Sequence, residues 1–287
     1  MKAAVVTDFD QAPRYQEFED PSGEVVEVLA AALSPRVRSQ AAGSHYSSGD
    51  ELPLIPGIDG VGRTSTGELR YFLLPDTNRG AMAERVAIDV RRSIPLPRSS
   101  DPVQLAAAMN PVMSSWVALR RRAGLKRGQR VLVLGADGNA GRLALQVARR
   151  LGAGEVTGIG RDGAGLVEAG ARADIVLDYL WGEPTAEALK AIVPARVDDS
   201  QQLTWVQIGS VAGLESPIPS AALRAVNLRI VGSGQGSVDP GDIKKELAAI
   251  AREVGRGTFD LQARAVPLSE VEATWAVKTT DRVVFIP

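Results

Sequence analysis

The chain contains no cysteine and a single histidine, His45. Disulfides, thiolate nucleophiles and cysteine-ligated zinc are thereby excluded, and one imidazole cannot build a multi-histidine metal site. Neither sign of charge dominates. Lys plus Arg number 33 against 34 for Asp plus Glu, which removes the usual electrostatic argument for a nucleic-acid or anionic-membrane partner. No apolar run approaches the length of a membrane span, and Met1-Lys-Ala-Ala-Val-Val6 is too short for the apolar core of a signal peptide. The expectation is a soluble, cytoplasmic protein without repeats, low complexity or a disordered linker. Its 287 residues, 45% of them hydrophobic, allow two lobes at the usual ~100–200 residues per domain.

What is present centres on one stretch. Val131 to Leu134 are four consecutive apolar residues, the mark of a short strand buried on both faces. Gly135, Gly138 and Gly141 follow, enclosing Asn139 and Ala140, and Leu143 to Leu151 then carries apolar residues at helical spacing. A second short apolar run is Val156-Thr-Gly-Ile159. Strand, glycine turn, helix, strand is the context in which glycines let backbone N–H groups approach a pyrophosphate at the positive end of a helix. Without a ligand the same residues would simply make a tight strand-to-helix turn.

Around it the chain divides in character. The first hundred residues read as a small, mostly β unit: strands at Lys2–Val6, Gly23–Leu29, Leu69–Leu73 and Ala81–Ile88, with turn-rich sequence between them. Val37–Ala42 fits a short helical turn. From Asp101 the pattern becomes helical, in Val103–Met109 and Val112–Ala123, with Trp116 and Leu119 on one face. Arg120 to Arg122 reads as a solvated face of that helix. Beyond the glycine turn, helices at 164–169 and 184–193 alternate with strands at 174–177, 203–208 and 228–231, which predicts a doubly wound α/β domain. An amphipathic helix over Ile243–Val254, a helix over Ala265–Trp275 and a strand at Arg282–Ile286 close the chain.

These pieces together resemble the medium-chain dehydrogenase/reductase superfamily, specifically its zinc-free quinone oxidoreductase (zeta-crystallin-like) branch. The resemblance spans nearly the whole chain: Ala31-Ala-Leu-Ser-Pro35, Pro56-Gly-Ile-Asp-Gly-Val-Gly62, Gly80-Ala-Met-Ala-Glu84, the run Gly124 to Gly135, and Pro267 to Ala273 followed by Arg282 to Val284. It implies an α/β fold: a GroES-like β lobe over 1–107 completed by 256–287, a doubly wound Rossmann domain over 108–255, and a cleft between them. The chain also departs from the family. Ile58 stands where zinc-dependent members carry histidine, the cysteine ligands are missing, and Gly62 reaches Gly80 through a short segment with no cysteine, which leaves no structural-zinc lobe. Ser34 replaces the family's asparagine and Val37 its aspartate.

The resemblance implies NADPH and an acceptor that takes hydride without a Lewis acid, either a quinone or an α,β-unsaturated carbonyl. A carbonyl reductase of the same fold in a biosynthetic pathway and a non-catalytic NADPH-binding sensor are the competing classes. Tyr46 is the candidate hydrogen-bond donor to the acceptor oxygen, and Ser114 falls where relatives carry a threonine on the nicotinamide side. Gly209, Ser210, Gly232 and Ser233 end strands toward the expected nicotinamide position. Tyr179 resembles a family tyrosine flanking the adenosine phosphate. His45 reads as a loop residue and Asp59 as a structural carboxylate. A homodimer through the Rossmann sheet edge, at Asn227 to Val231, is implied as well.

Cofactor choice can be read from spacing. The acid that bonds a ribose 2′-hydroxyl lies about 20 residues beyond the glycine turn, at the end of the second strand. Nineteen residues beyond Gly141 stands Gly160, and Arg161 follows. Loss of the carboxylate and gain of a planar, permanent cation both favour the 2′-phosphate of NADPH.

Overall fold

A computed structural model describes residues 1–287 except Gln235 and Lys278. The chain opens with β1 (Lys2–Val5), β2 (Arg14–Glu17) and β3 (Val25–Ala32), then α1 (Pro35–Ala41). β4 (Asp59–Thr64), β5 (Leu69–Leu73), β6 (Arg85–Ala87) and β7 (Ser93–Pro95) follow. α2 (Pro102–Val117) continues through a π-helical turn, Ala118–Ala123, into β8 (Arg130–Leu134), α3 (Asn139–Arg150) and β9 (Glu155–Ile159). Next come α4 (Leu166–Arg172), β10 (Ile175–Asp178), α5 (Gly182–Ile192), β11 (Leu203–Gln207), α6 (Ala222–Ala225) and β12 (Leu228–Gly232). α7 (Pro240–Gly255), β13 (Ala263–Pro267), α8 (Val271–Trp275) and β14 (Arg282–Ile286) complete it.

The chain forms two compact units, Met1–Asn110 with Leu247–Pro287, and Pro111–Glu246. In the first, β1 and β2 pair by themselves, and a larger sheet runs in the order β13-β14-β3-β4-β5-β7 with β6 also paired to β3. Val28, Phe72, Met82 and Phe285 are among the side chains that fill its core. β4 is the element that local sequence hides, because Gly60 and Gly62 look like turn residues. A Cβ on Gly60 would lie 2.9 Å from the Ala30 carbonyl and 2.9 Å from the Phe72 ring, and one on Gly62 would lie 2.8 Å from the Glu27 carbonyl. Neighbouring backbone and side chains occupy that space, so these glycines are strand residues under close packing. α1 starts on Ser34, whose hydroxyl accepts from the Val37 N–H at 3.1 Å, with Pro35 in the first turn.

Asp59 opens β4 and is 3% exposed. The Tyr71 hydroxyl, across the strand pair, donates to its carboxylate at 2.7 Å. Burial pushes this carboxyl up to about 6, against the pull of the Tyr71 hydrogen bond and of the Arg282 and Arg36 charges. Arg282, almost wholly buried at the start of β14, is itself pushed down by burial.

The second unit holds a parallel sheet in the order β12-β11-β10-β8-β9. From β8 the chain moves outward through α3 to β9, then returns through α4 to β10 on the other side of β8. The reversal lies between β8 and β10, at the carboxyl ends of their strands, where open α/β sheets take their ligands. The full doubly wound order has one more strand outside β9; among the described residues the sheet ends at β9. Val131, Leu132, Val133, Ile175, Val176, Leu177 and Trp205 are fully buried, as expected for strands covered on both faces.

Candidate functional site

The glycine turn carries the chain from β8 to α3. The Gly135 and Ala136 N–H groups both donate to the Ile159 carbonyl at 3.1 Å, binding the turn to the end of β9. Gly135 has φ +83°, a conformation that side-chain-bearing residues resist. Gly141 is required for a different reason. A Cβ there would lie 2.2 Å from the Gly135 carbonyl oxygen and 2.8 Å from the Ala136 Cα, so the first turn of α3 can rest on the strand-to-helix turn only if residue 141 has no side chain. Gly138 is the N-cap and offers no side-chain acceptor to the helix. The N–H groups of Asn139, Ala140 and Gly141, the first three of the helix, have no intrahelical acceptor. The first turn holds no acidic residue. An uncapped, positively polarised helix start with glycine on either side fits a pyrophosphate.

The end of β9 is the second part of the site. Gly160 follows the strand and leaves a space that a side chain would fill. The carboxylate of Asp137, from the glycine turn, enters that space and accepts the Arg161 N–H at 3.0 Å. Arg161 and Asp137 are both exposed. Asp162, next to Arg161 in the chain, accepts the Ala164 N–H at 3.2 Å. Asp137 is not among the site residues that the sequence points to. Its only local signal is an acid inside the glycine turn.

The third part lies at the end of β10. Asp178 is completely buried, and its carboxylate is fully bonded. One oxygen accepts the Leu180 and Trp181 N–H groups at 2.8 and 3.1 Å; the other accepts the Thr185 hydroxyl at 2.6 Å and the Trp205 indole at 2.9 Å. These bonds hold the strand-to-helix turn in which Trp181 adopts φ +54°. Tyr179, between them, is 8% exposed. Its hydroxyl lies 3.1 Å from the Ser114 hydroxyl, which donates to the Pro111 carbonyl at 2.8 Å. Burial pushes the Tyr179 hydroxyl up to about 12.

The place of Tyr179 in the sheet differs from that of Gly160 and Arg161. Tyr179 ends β10, whereas Gly160 and Arg161 end β9, and β8 stands between the two strands. Two strand spacings are roughly 9–10 Å, so Tyr179 keeps company with Ser114 and not with the adenosine-side residues. Gly209 joins that pair: its N–H donates to the Asp178 carbonyl at 3.2 Å, and a Cβ on it would lie 2.8 Å from the Tyr179 carbonyl. Ser210 is exposed beside it. Gly232 and Ser233 end β12, and the Ser233 N–H donates to the Gln207 carbonyl at 2.8 Å.

The arginine run is also corrected. Arg120 and Arg121 pair with the buried carboxylate of Glu246 at 2.9 and 2.8 Å, which also accepts the Trp116 indole at 2.9 Å. Arg122 donates to the Gly232 carbonyl at 2.6 Å. The run anchors α7 and the end of β12; it is not simply a solvated face. In the other unit, Tyr46 is 74% exposed, its ring 4.3 Å from that of His45. His45 is half-buried and bonds the Ser47 hydroxyl at 2.9 Å, and that hydroxyl donates to Asp76 at 2.9 Å. Burial, then the Arg36 charge, holds the imidazole below its ordinary value.

Among the described residues no group of three or more His, Cys, Asp and Glu is placed to hold a metal ion. No helix is long and apolar enough to cross a membrane. A cavity of about 280 Å³ lined by Arg130, Glu155, Glu168 and Arg172 lies at the amino ends of β8 and β9, the opposite end of the sheet from the glycine turn.

No protein-family model matches the chain. The "Probable NADPH-dependent quinone reductase tdiC" of Emericella nidulans is 30% identical over 359 aligned positions, which cover 100% of both chains. That alignment is longer than these 287 residues, so the relative carries segments that this chain lacks. The acryloyl-coenzyme A reductase of Metallosphaera sedula is 29% identical over 75% of this chain and 79% of its own. The quinone oxidoreductase of Thermus thermophilus, solved also in complex with NADPH, superposes with a TM-score of 0.78 at 25% identity, covering 100% of each chain. This chain belongs to the medium-chain dehydrogenase/reductase family, in its quinone oxidoreductase branch.

Proposed function

We propose that the chain is an NADPH-dependent, zinc-independent reductase that passes hydride to a quinone or an α,β-unsaturated carbonyl compound. The observation that carries this reading is the uncapped start of α3 packed on Gly135 through Gly141, in a chain 30% identical along its whole length to an NADPH-dependent quinone reductase. Bound NADPH supplies the hydride, and the protein's work is to hold and orient the reactants.

The Asn139, Ala140 and Gly141 N–H groups receive the pyrophosphate, and Arg161 beside Gly160 receives the 2′-phosphate. Ser114 and Tyr179, locked to each other, form with Gly209, Ser210, Gly232 and Ser233 the wall toward the nicotinamide. Tyr46 is the proposed donor to the acceptor oxygen as negative charge develops there. Residues 1–107 with 256–287 would form the substrate-binding lobe, and 108–255 the cofactor lobe. The acryloyl-coenzyme A reductase relative favours an activated enone over an isolated ketone within this class. With no cysteine and one histidine, hydride transfer would proceed without zinc.

A homodimer is part of the same proposal. Among the described residues β12 has a neighbour on one side only, and pairing two copies along it would cover an open edge. Light scattering at micromolar concentration checks this, and a monomeric mass rejects it. The activity itself is tested by following NADPH oxidation against a panel of small quinones, enones and ketones, before and after exhaustive chelation. Turnover of quinones or enones that survives chelation is expected. Turnover of ketones alone, or activity lost to chelation and restored by zinc, would overturn the reading.

A further inference from the structure

In a dinucleotide-binding strand–helix–strand unit the acid that reads the adenosine ribose comes from the end of the second strand. Here that position is Gly160. A Cβ built on Gly160 would lie 2.7 and 2.8 Å from the two carboxylate oxygens of Asp137 and 3.0 Å from its Cγ. The Asp137 carboxylate therefore occupies the volume that a short side chain at position 160 would take. It is held there by the Arg161 N–H, at 3.0 Å from Oδ2. The charge removed from the strand end has returned from the glycine turn.

We propose that Asp137 is a specificity-determining residue that reads the ribose 2′-position against Arg161. This rests on the cofactor site proposed above. A carboxylate at this place accepts a hydrogen bond from a 2′-hydroxyl and repels a 2′-phosphate; a guanidinium at the same place does the reverse. The preference for NADPH over NADH is then the difference between two opposed side chains, and it is smaller than Gly160 and Arg161 alone would set.

The test uses the whole protein and reads binding, not turnover. Dissociation constants for NADPH, NADH, 2′,5′-ADP and 5′-AMP are measured by calorimetry on the wild type, Asp137→Asn and Asp137→Ala, at low and high salt. The asparagine keeps an acceptor for the Arg161 N–H. Both variants should bind NADPH and 2′,5′-ADP about five- to tenfold more tightly at low salt, as expected for removing one like charge a few ångströms from an exposed anion. They should not tighten on NADH or 5′-AMP, and the gain should shrink as salt rises. Weaker NADPH binding in both variants would mean that Asp137 serves only to position Arg161, and an unchanged NADPH-to-NADH ratio would mean that it reads nothing; either result rejects the proposal. Failure of the wild type to bind any of the four ligands would instead sink the cofactor site itself, and this proposal with it.

Discussion

Replacing Asp59 by asparagine should remove a slope from the protein's pH–stability profile. The carboxyl sits at the start of β4, 3% exposed, and burial raises it from an ordinary 3.8 to about 6. A raised acid binds its proton more tightly in the native state than in the unfolded one. Between about pH 4 and pH 6 the native protein therefore holds more protons, and the unfolding free energy falls as pH rises. Above about pH 6 the loss is complete and this contribution is flat. Some two units at 1.36 kcal/mol each amount to about 3 kcal/mol. The asparagine cannot titrate, and its carbonyl can still accept from the Tyr71 hydroxyl, 2.7 Å from the carboxylate it replaces. The variant should match the wild type near pH 4 and exceed it near pH 7 by up to about 3 kcal/mol. Urea unfolding followed by tryptophan fluorescence across that range measures the difference. Parallel profiles for the two proteins would refute the argument, and so would a variant that loses stability at neutral pH.

Gly141→Ala should lose dinucleotide binding and about 1–3 kcal/mol of stability, because the new methyl meets the Gly135 carbonyl at 2.2 Å; calorimetry with NADPH and thermal unfolding check both. Arg161→Ala should weaken NADPH by roughly ten- to a hundredfold, the loss of a charge-assisted hydrogen bond, and leave NADH nearly unchanged; equal losses for both cofactors would remove Arg161 from the site. Tyr179→Phe should cost about 1 kcal/mol of stability through the lost Ser114 bond. It should leave the pH dependence of turnover unaltered between about pH 6 and 9, since the hydroxyl is held near 12. An altered profile would make Tyr179 a titrating participant.

Much of the architecture is legible in the sequence because it depends on nearest neighbours. β5 matches its apolar-rich segment, Leu69–Leu73, residue for residue, and the unit from β8 to β9 lies where the glycine turn puts it. The failures share a physical cause, which is a partner distant in sequence. β4 reads as a turn because the atoms that exclude side chains at Gly60 and Gly62 belong to β3 and β5. Pro111 separates two expected helices that are one, since α2 runs through it. The arginines at 120 and 121 find a buried acid more than a hundred residues later. That Tyr179 and Arg161 stand on opposite sides of β8 is a property of the whole sheet, which no local stretch displays. Asp137 escapes notice because its effect depends on an empty volume across the turn, at Gly160.

The interruption of the first unit bears on synthesis. Its sheet needs β14, whose Phe285 and Val284 pair with Ala31 and Ala32 of β3, but Pro111–Glu246 is made in between. At about 5–20 residues per second on the ribosome, roughly 10–35 s separate Asn110 from Arg282. The contiguous second unit can fold during that interval. The first must wait with the Ala31–Ala32 end of β3 unpaired beyond the stretch that β6 covers, a short open edge that invites pairing with other nascent chains. Chaperone demand should fall on the half that was translated first and finishes last.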